Sequence, residues 1–215
     1  RGETMRIALA QINVCIGDFE RNALKILDTC WDAFRKGASV IAFPELSLCG
    51  YPPEDLLLKK SFIKEEMETL SHLLKGLPDC VILLGIAYPE NDSLYNSAAV
   101  VFKKELVGLY KKVNLPNYGV FDEKRYFKEG KEGLVIQVND STIGIEICED
   151  IWLEDSVTET ESFLGDAEII INISSSPYHL GKGNLRKEVI SRKAKKTKTN
   201  IFYCNLVGGQ DELVF

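Results

Sequence analysis

"SAAVVFKKELVGLYKK", Ser97 to Lys112, decides what kind of sheet this chain builds. Two β-rich apolar runs, "NSAAVVF" and "LVGLY", are separated only by "KKE". A connection that short joins antiparallel neighbours, because a parallel pair needs a crossover of about a dozen residues or more. The spacing therefore predicts a hairpin over Val100 to Tyr110, and a sheet that is not purely parallel. Working outward, short apolar runs bounded by turn residues recur on both sides: "RIALAQI", "SVIAFPEL" and "CVILLGIAY" before it, "LVIQV", "STIGIEIC", "EIIINIS" and "NIFYCNLV" after it. Several are apolar on both faces, as central strands covered by helices are. Amphipathic stretches over Asn22 to Phe34, Asp55 to Leu74 and Lys182 to Lys196 supply those helices. The fold class expected is layered α/β, a mixed β-sheet flanked by helices.

The bulk composition narrows the functional class. With 215 residues, 45% of them hydrophobic, the chain has enough material for one large domain with a full core. A formal net charge of −6 gives no support for nucleic acid binding. The one basic cluster, "LRKEVISRKAKKTK", carries Leu185, Val189 and Ile190 at helical offsets and reads as a solvated helix face. No apolar run approaches the roughly 20 residues of a membrane span, so a soluble, cytoplasmic protein is expected. Residues 1–4, Arg-Gly-Glu-Thr, precede what reads as the natural start at Met5 and are taken as a remnant left by cloning, with the domain running over 5–215. Six cysteines, at 15, 30, 49, 80, 148 and 204, show no CxxC pair and no metal-cage spacing, so neither a metal site nor a disulfide framework is expected. Asn91, Asn139 and Asn172 head glycosylation-type triplets that carry no meaning in a cytosolic chain.

Reactive groups in layered sheets gather where strands end. Three strand ends carry them here: Glu45 after "VIAFP", Lys111 and Lys112 after "VGLY", and Cys148 after "GIEI". Each has an ordinary reading beside the chemical one. A strand-end cysteine is as readily a small buried hydrophobe as a nucleophile, and its neighbours Glu149 and Asp150 do not activate it, since negative charge raises a thiol's pKa. Glu45 is a desolvated general base or a solvent-facing carboxylate. Strand alternation turns only one of the two lysines inward, and it selects Lys112. His72, in a helical stretch and expected to be partly packed, and His179, in a loop, have no metal-ligand partner by spacing. Thiol, carboxylate and ammonium together suffice for amide chemistry: the carboxylate takes the thiol proton, the thiolate attacks a carbonyl carbon, and the ammonium stabilises the oxyanion.

With these residues in view, Glu45 in "FPELSLCGYPPEDLL", Lys112 in "YKKVNLPNYGVFDEKRYF" and Cys148 in "IGIEICEDIW" resemble the Glu-Lys-Cys triad of the nitrilase, or carbon–nitrogen hydrolase, superfamily. Within it, "GYPPEDLL", "LPNYGVFDEKRYF", "INISSSPYHLGK" and "YCNLVGGQDELVF" are similar to the glutaminase domains of glutamine-dependent NAD synthetases. The resemblance runs from Met5 to Phe215 and implies an α-β-β-α sandwich with mixed sheets. It also implies roles: Cys148 as nucleophile, Glu45 as general base, Lys112 at the tetrahedral intermediate, Glu123 as a second carboxylate bordering the site, and Tyr51, Tyr118 and Ser175 as glutamine contacts.

The implied reaction releases ammonia from glutamine through a γ-glutamyl thioester and needs no metal or organic cofactor. ATP and Mg would serve only a synthetase domain, absent from this chain, that takes the ammonia to amidate deamido-NAD. "VGGQDELVF" is not that domain's pyrophosphate loop, since Gly208-Gly209 lacks the serine and the following helix. The chain is thus expected to be a C-terminally truncated glutaminase portion, assembling as a homo-oligomer. Alternatives are a stand-alone carbon–nitrogen hydrolase acting on another small amide, or an inactive fragment serving as an assembly module.

Overall fold

The structure, a computed structural model, describes residues 5–215; the expected remnant at 1–4 lies outside the described residues. The fold is four layers, helices on sheet on sheet on helices. Strands β1 (Ile7–Leu9), β2 (Val40–Ala42), β3 (Val81–Glu90), β4 (Ser93–Phe102) and β5 (Glu105–Lys111) form one sheet in sequence order, with β1, β2 and β3 parallel and β3, β4 and β5 antiparallel. Strands β6 (Leu134–Val138), β7 (Ser141–Ile147), β8 (Ile169–Ser174) and β9 (Asn200–Asn205) form the second, with β6 antiparallel to β7 and the rest parallel. The residues alone predicted one mixed sheet; the resemblance implied two, and two are present. A further two-stranded ladder, β10 (Gly209–Gln210) with β11 (Leu213–Val214), takes up the "VGGQDELVF" stretch.

The hairpin over Ser97 to Lys112 is present, with a tighter turn than "KKE" suggested. Glu105 already pairs with Phe102, and the turn is Lys103 and Lys104 alone, both at positive φ (49° and 66°). Two left-handed residues make the turn whose twist matches the strands it joins. Two more hairpins turn at Asn91-Asp92 and Asn139-Asp140, each asparagine at φ 53°. Those are two of the three glycosylation-type triplets: asparagine is there because it tolerates the left-handed region. The third, Asn172, is buried within β8.

On the outer side of the first sheet lie α1 (Phe19–Arg35) and α2 (Lys60–Gly76). The Asp18 carboxylate caps α1 by accepting the Arg21 backbone N–H at 3.2 Å, and Phe19, Asn22, Ile26 and Cys30 make its buried stripe. The α2 stripe is Phe62, Glu66, Leu70 and Leu73. Its glutamate is wholly buried and accepts the Ala87 N–H at 3.0 Å. The sheet–sheet core joins Val40, Ala42, Val81, Leu83, Ala98, Val100 and Tyr110 to Ile143, Ile145, Ile147, Ile171 and Ile173.

The fourth layer is α3 (Val157–Phe163), which the periodicity missed because it is barely two turns long, and α4 (Lys182–Thr197). Its buried residues mix polar with apolar: Thr158, Glu161 and Lys193 beside Val157 and Val189. In α4, Leu185 is exposed while Lys193 turns inward to Glu159 at 2.7 Å, so the basic face is not wholly solvated. The five cysteines other than Cys15 are buried, and all six are free. His72 is exposed rather than packed.

Beneath α3, β7 turns Gly144 and Glu146 outward. Glu146 accepts the Thr158 hydroxyl at 2.7 Å and the Asn172 amide at 3.1 Å, and among the described residues no cation is in hydrogen-bond reach. Burial pushes its carboxyl up to about 8. The folded protein thus keeps a proton that the unfolded chain releases near pH 4.5, so stability declines as pH rises from there to about 8. Glu146→Gln, which needs no proton, is expected to flatten that decline by a few kcal/mol, at about 1.4 kcal/mol per tenfold difference in proton affinity. Urea midpoints of the two proteins from pH 5 to 8.5 check this, and parallel curves would refute it.

Candidate active site

Glu45 follows β2, Lys112 follows β5, Cys148 follows β7 and Ser175 follows β8. All four strands end at the same edge of the sandwich, so the polar groups cap one end of the sheet–sheet core. The loop carrying Glu45 lies directly on β3, where Leu48 donates its N–H to Gly85 O at 3.2 Å. A Cβ at Gly85 would stand 2.3 Å from Pro44 O, which is why no side chain fits there.

The Lys112 ammonium, wholly buried, sits between two carboxylates. It donates to Glu45 Oε1 at 2.7 Å and to both Glu123 oxygens at 2.9 Å. Lys111 points to the other side, pairing with Glu90 and lying over the Tyr95 ring, 4.4 Å from its centroid. Burial alone would lower the Lys112 pKa, but Glu123 and Glu45 outweigh it and hold the ammonium charged well above its ordinary range. Glu123 comes from the irregular segment after β5, closed on itself by Glu123 N–H to Pro116 O at 3.2 Å and anchored in the core by Leu115 and Phe127. Burial pushes its carboxyl up to about 7 against the pull of Lys112.

Glu45 is fixed at each oxygen. Oε1 also accepts the Asn96 amide at 2.7 Å, and Oε2 accepts the Ser175 N–H at 2.9 Å. The Ser175 hydroxyl donates to Glu45 O at 2.8 Å, so both its donors are spent on Glu45. Asn96 reaches Glu123 as well, at 3.4 Å, and ties the two carboxylates together. Nothing in the strand pattern marked it except a buried amide on the face that continues as Ala98 and Val100.

Cys148 opens a single helical turn, Cys148–Ile151, with φ at +44°. Strain of that kind in a non-glycine residue costs about 1–3 kcal/mol and gathers at functional sites. Burial raises its thiol pKa, Glu45 adds to the rise, and Lys112 opposes it, so the resting group is a neutral thiol within electrostatic reach of both. Tyr51 donates to Glu123 Oε1 at 3.4 Å. Tyr118, largely exposed, donates to the Glu149 carboxylate at 2.8 Å. Lys182 has its ammonium 4.3 Å from the centre of the Trp152 ring; partial burial lowers its pKa, and the nearby Glu149 carboxylate opposes that. Glu149 and Lys182 were not singled out by sequence reasoning; an acid beside the thiol and a base at the start of α4 look like surface charges until the fold brings them together.

A cleft of about 270 Å³ opens beside Glu123, lined by Leu46, Tyr51, Pro52, Phe121, Glu123 and Phe127 among others. A larger cavity of about 620 Å³ lies where Phe34, Cys80, Phe102 and Ile136 meet, and it contains none of these groups. Among the described residues no cluster of His, Cys, Asp or Glu is arranged to hold a metal, and no helix is long and apolar enough to cross a membrane.

Replacing Lys112 by methionine keeps the length and removes the charge that both carboxylates share. Breaking a buried pair this way costs about 3–5 kcal/mol. Without Lys112, the Glu123 pKa rises further above its unfolded value, so the deficit is expected to be largest at pH 8 and to shrink as Glu123 protonates toward pH 6. Urea denaturation of Lys112→Met at the two pH values measures it; a deficit independent of pH argues against the shared charge.

Residues 6–215 match the family described as carbon-nitrogen hydrolase. Glutamine-dependent NAD(+) synthetases of Thermotoga maritima and Aquifex aeolicus are each 45% identical over 213 residues, 98% of this chain and 37% of theirs. The chain thus spans under two fifths of the length of these curated relatives. The solved glutamine-dependent NAD+ synthetase of Acinetobacter baumannii superposes with a TM-score of 0.95 at 40% identity, covering 99% of this chain and 40% of that one. An amidase from Nesterenkonia sp. shares the fold, with a TM-score of 0.87 at 22% identity over 100% of this chain and 81% of that one. A match over nearly every residue means that the chain belongs to the carbon-nitrogen hydrolase family.

Proposed function

We propose that this chain is a glutamine amidohydrolase, the ammonia-releasing portion of a glutamine-dependent NAD synthetase. The observation that supports it most is the Lys112 ammonium held between Glu45 and Glu123, with the Cys148 thiol in electrostatic reach. Glu45 takes the Cys148 proton as sulfur attacks the side-chain amide carbon. The oxyanion that forms is stabilised by Lys112 and by the backbone N–H of Glu149. The C–N bond breaks, the proton held by Glu45 goes to the leaving nitrogen, and ammonia departs from a γ-glutamyl thioester. Glu45 then activates water, and hydrolysis returns the thiol and glutamate.

Ser175 acts through Glu45, which both its donors hold in place. Glu123 keeps Lys112 charged, and Tyr51 borders it. At the rim, the Glu149 carboxylate with Tyr118 suits an α-ammonium and the Lys182 ammonium suits an α-carboxylate. That pairing favours an amino-acid amide over a simple one. Residues 5–215 form the glutaminase unit, the chain works in the cytoplasm as a homo-oligomer, and the ammonia passes to a synthetase domain for which ATP and Mg serve the second half-reaction.

Ammonia release from glutamine, asparagine, acetamide and propionamide tests the reading. Turnover of glutamine above the others is expected, with Cys148→Ala lowering it by at least about 10³-fold, within the range known for removal of a nucleophile. Glu45→Gln is expected to lose turnover without accumulating the thioester on Cys148, because Glu45 serves the formation of the thioester as well as its hydrolysis. Preferential turnover of a simple amide, or activity that survives Cys148→Ala, would overturn it.

A further inference from the structure

Asp150 has no part in the chemistry above, yet it is wholly buried and every acceptor position on it is taken. Oδ1 accepts the Asn114 backbone N–H at 2.8 Å and the Asn114 side-chain amide at 2.9 Å. Oδ2 accepts the Tyr110 hydroxyl at 2.7 Å and the Ile147 N–H at 3.1 Å. Four donors fill the four lone-pair sites of a carboxylate, so Asp150 is not a free base. The positions of those donors carry the meaning. Tyr110 and Asn114 stand two residues before and two residues after Lys112, and Ile147 immediately precedes Cys148. The first two belong to the end of β5 and the segment after it, in one sheet, while Ile147 ends β7 in the other.

We propose that Asp150 is a positioning residue that sets the Lys112 ammonium against the Cys148 thiol by clamping the end of β5 to the nucleophile turn across the two sheets. The inference rests on the amidohydrolase reading for what Lys112 and Cys148 do. The main-chain bonds of Lys112 do not supply this link: its N–H goes to Asn96 O and its C=O receives Gly130 N–H, both at 2.8 Å and both on its own side of the sandwich. Glu45 already crosses between the sheets through Ser175. Asp150 gives Lys112 the equivalent crossing. Without it the lysine stays attached to its carboxylates but is no longer registered on the sulfur, so the thiol loses the cation that favours its ionised form.

The test leaves Asp150 in place and removes its two side-chain donors, in Tyr110→Phe, in Asn114→Ala and in the double variant, with the backbone N–H groups of Asn114 and Ile147 retained. Far-UV circular dichroism and urea midpoints report folding. Two measurements then follow: kcat and KM for glutamine, and the pH dependence of Cys148 alkylation by iodoacetamide, read on the Cys148 peptide by mass spectrometry. The double variant is expected to lose about tenfold in kcat with KM within about twofold, since the lost interaction acts on the transition state. Its alkylation midpoint is expected to rise by about one pH unit, a tenfold change in thiolate at a given pH. Tyr110→Phe removes only a hydroxyl and is expected to move both in the same direction by about threefold. If the double variant fails to fold, that single variant decides the matter. A folded variant with the wild-type kcat and alkylation profile overturns the proposal, as does a loss confined to KM. Alkylation needs no glutamine, so a wild-type protein that does not hydrolyse glutamine, with variants that still shift the midpoint, overturns the amidohydrolase reading and upholds the clamp.

Discussion

One buried ammonium constrains everything around it. Lys112 has no water to solvate it, and an unpaired charge there would cost more than the whole fold can spare. Glu45 and Glu123 must therefore come to it, from a loop after β2 and from the irregular segment after β5. Each carboxylate is in turn too costly to bury alone. Asn96, the Ser175 N–H and Tyr51 complete their hydrogen bonds, and the network closes only when both sheets are in place. Within this network Asn96 Oδ1 is left without a partner, while the Lys112 ammonium and the Glu45 and Glu123 carboxylates are all hydrogen-bonded, and that fixes their geometry.

The sandwich divides its two inner jobs along its length. Most of the sheet–sheet interface is isoleucine, valine and alanine, which hold the sheets together without specifying where one lies on the other. The polar end supplies that specification. Glu45 with Ser175, and Asp150 with Tyr110 and Asn114, are directional contacts that a slipped register would break. Apolar burial thus drives docking, and the polar groups select one docked geometry.

The strands were legible because their apolar runs are short and sharply bounded, and the Ser97 to Lys112 hairpin because so few residues lie between its arms. The second sheet was not legible from those runs, since isoleucine alternation in β7 and β8 says a face is buried without saying against what. Helix α3 escaped because its inward face is Thr158 and Glu161, where periodicity looks for apolar residues. At the site, Glu45, Lys112 and Cys148 stand out as reactive groups at strand ends, but their convergence comes from topology. Asn96 and Asp150 were passed over for the same reason: a polar residue in or beside an apolar run is informative only once its partners, dozens of residues away, are known. Resemblance to a family supplied roles for these residues where spacing alone left them open.

Each sheet is drawn from one continuous stretch of chain, Ile7 to Lys111 and then Leu134 to Asn205. During synthesis Glu45 and Lys112 therefore emerge on a nearly complete first sheet before Cys148 has been made. The sulfur meets them only after the residues that anchor Glu45 from the other side, at position 175, have followed it out. A chain elongated only as far as Cys148 carries that thiol without β8 and Ser175 beside it. The order of the strands along the chain thus sets the order in which the three groups can meet.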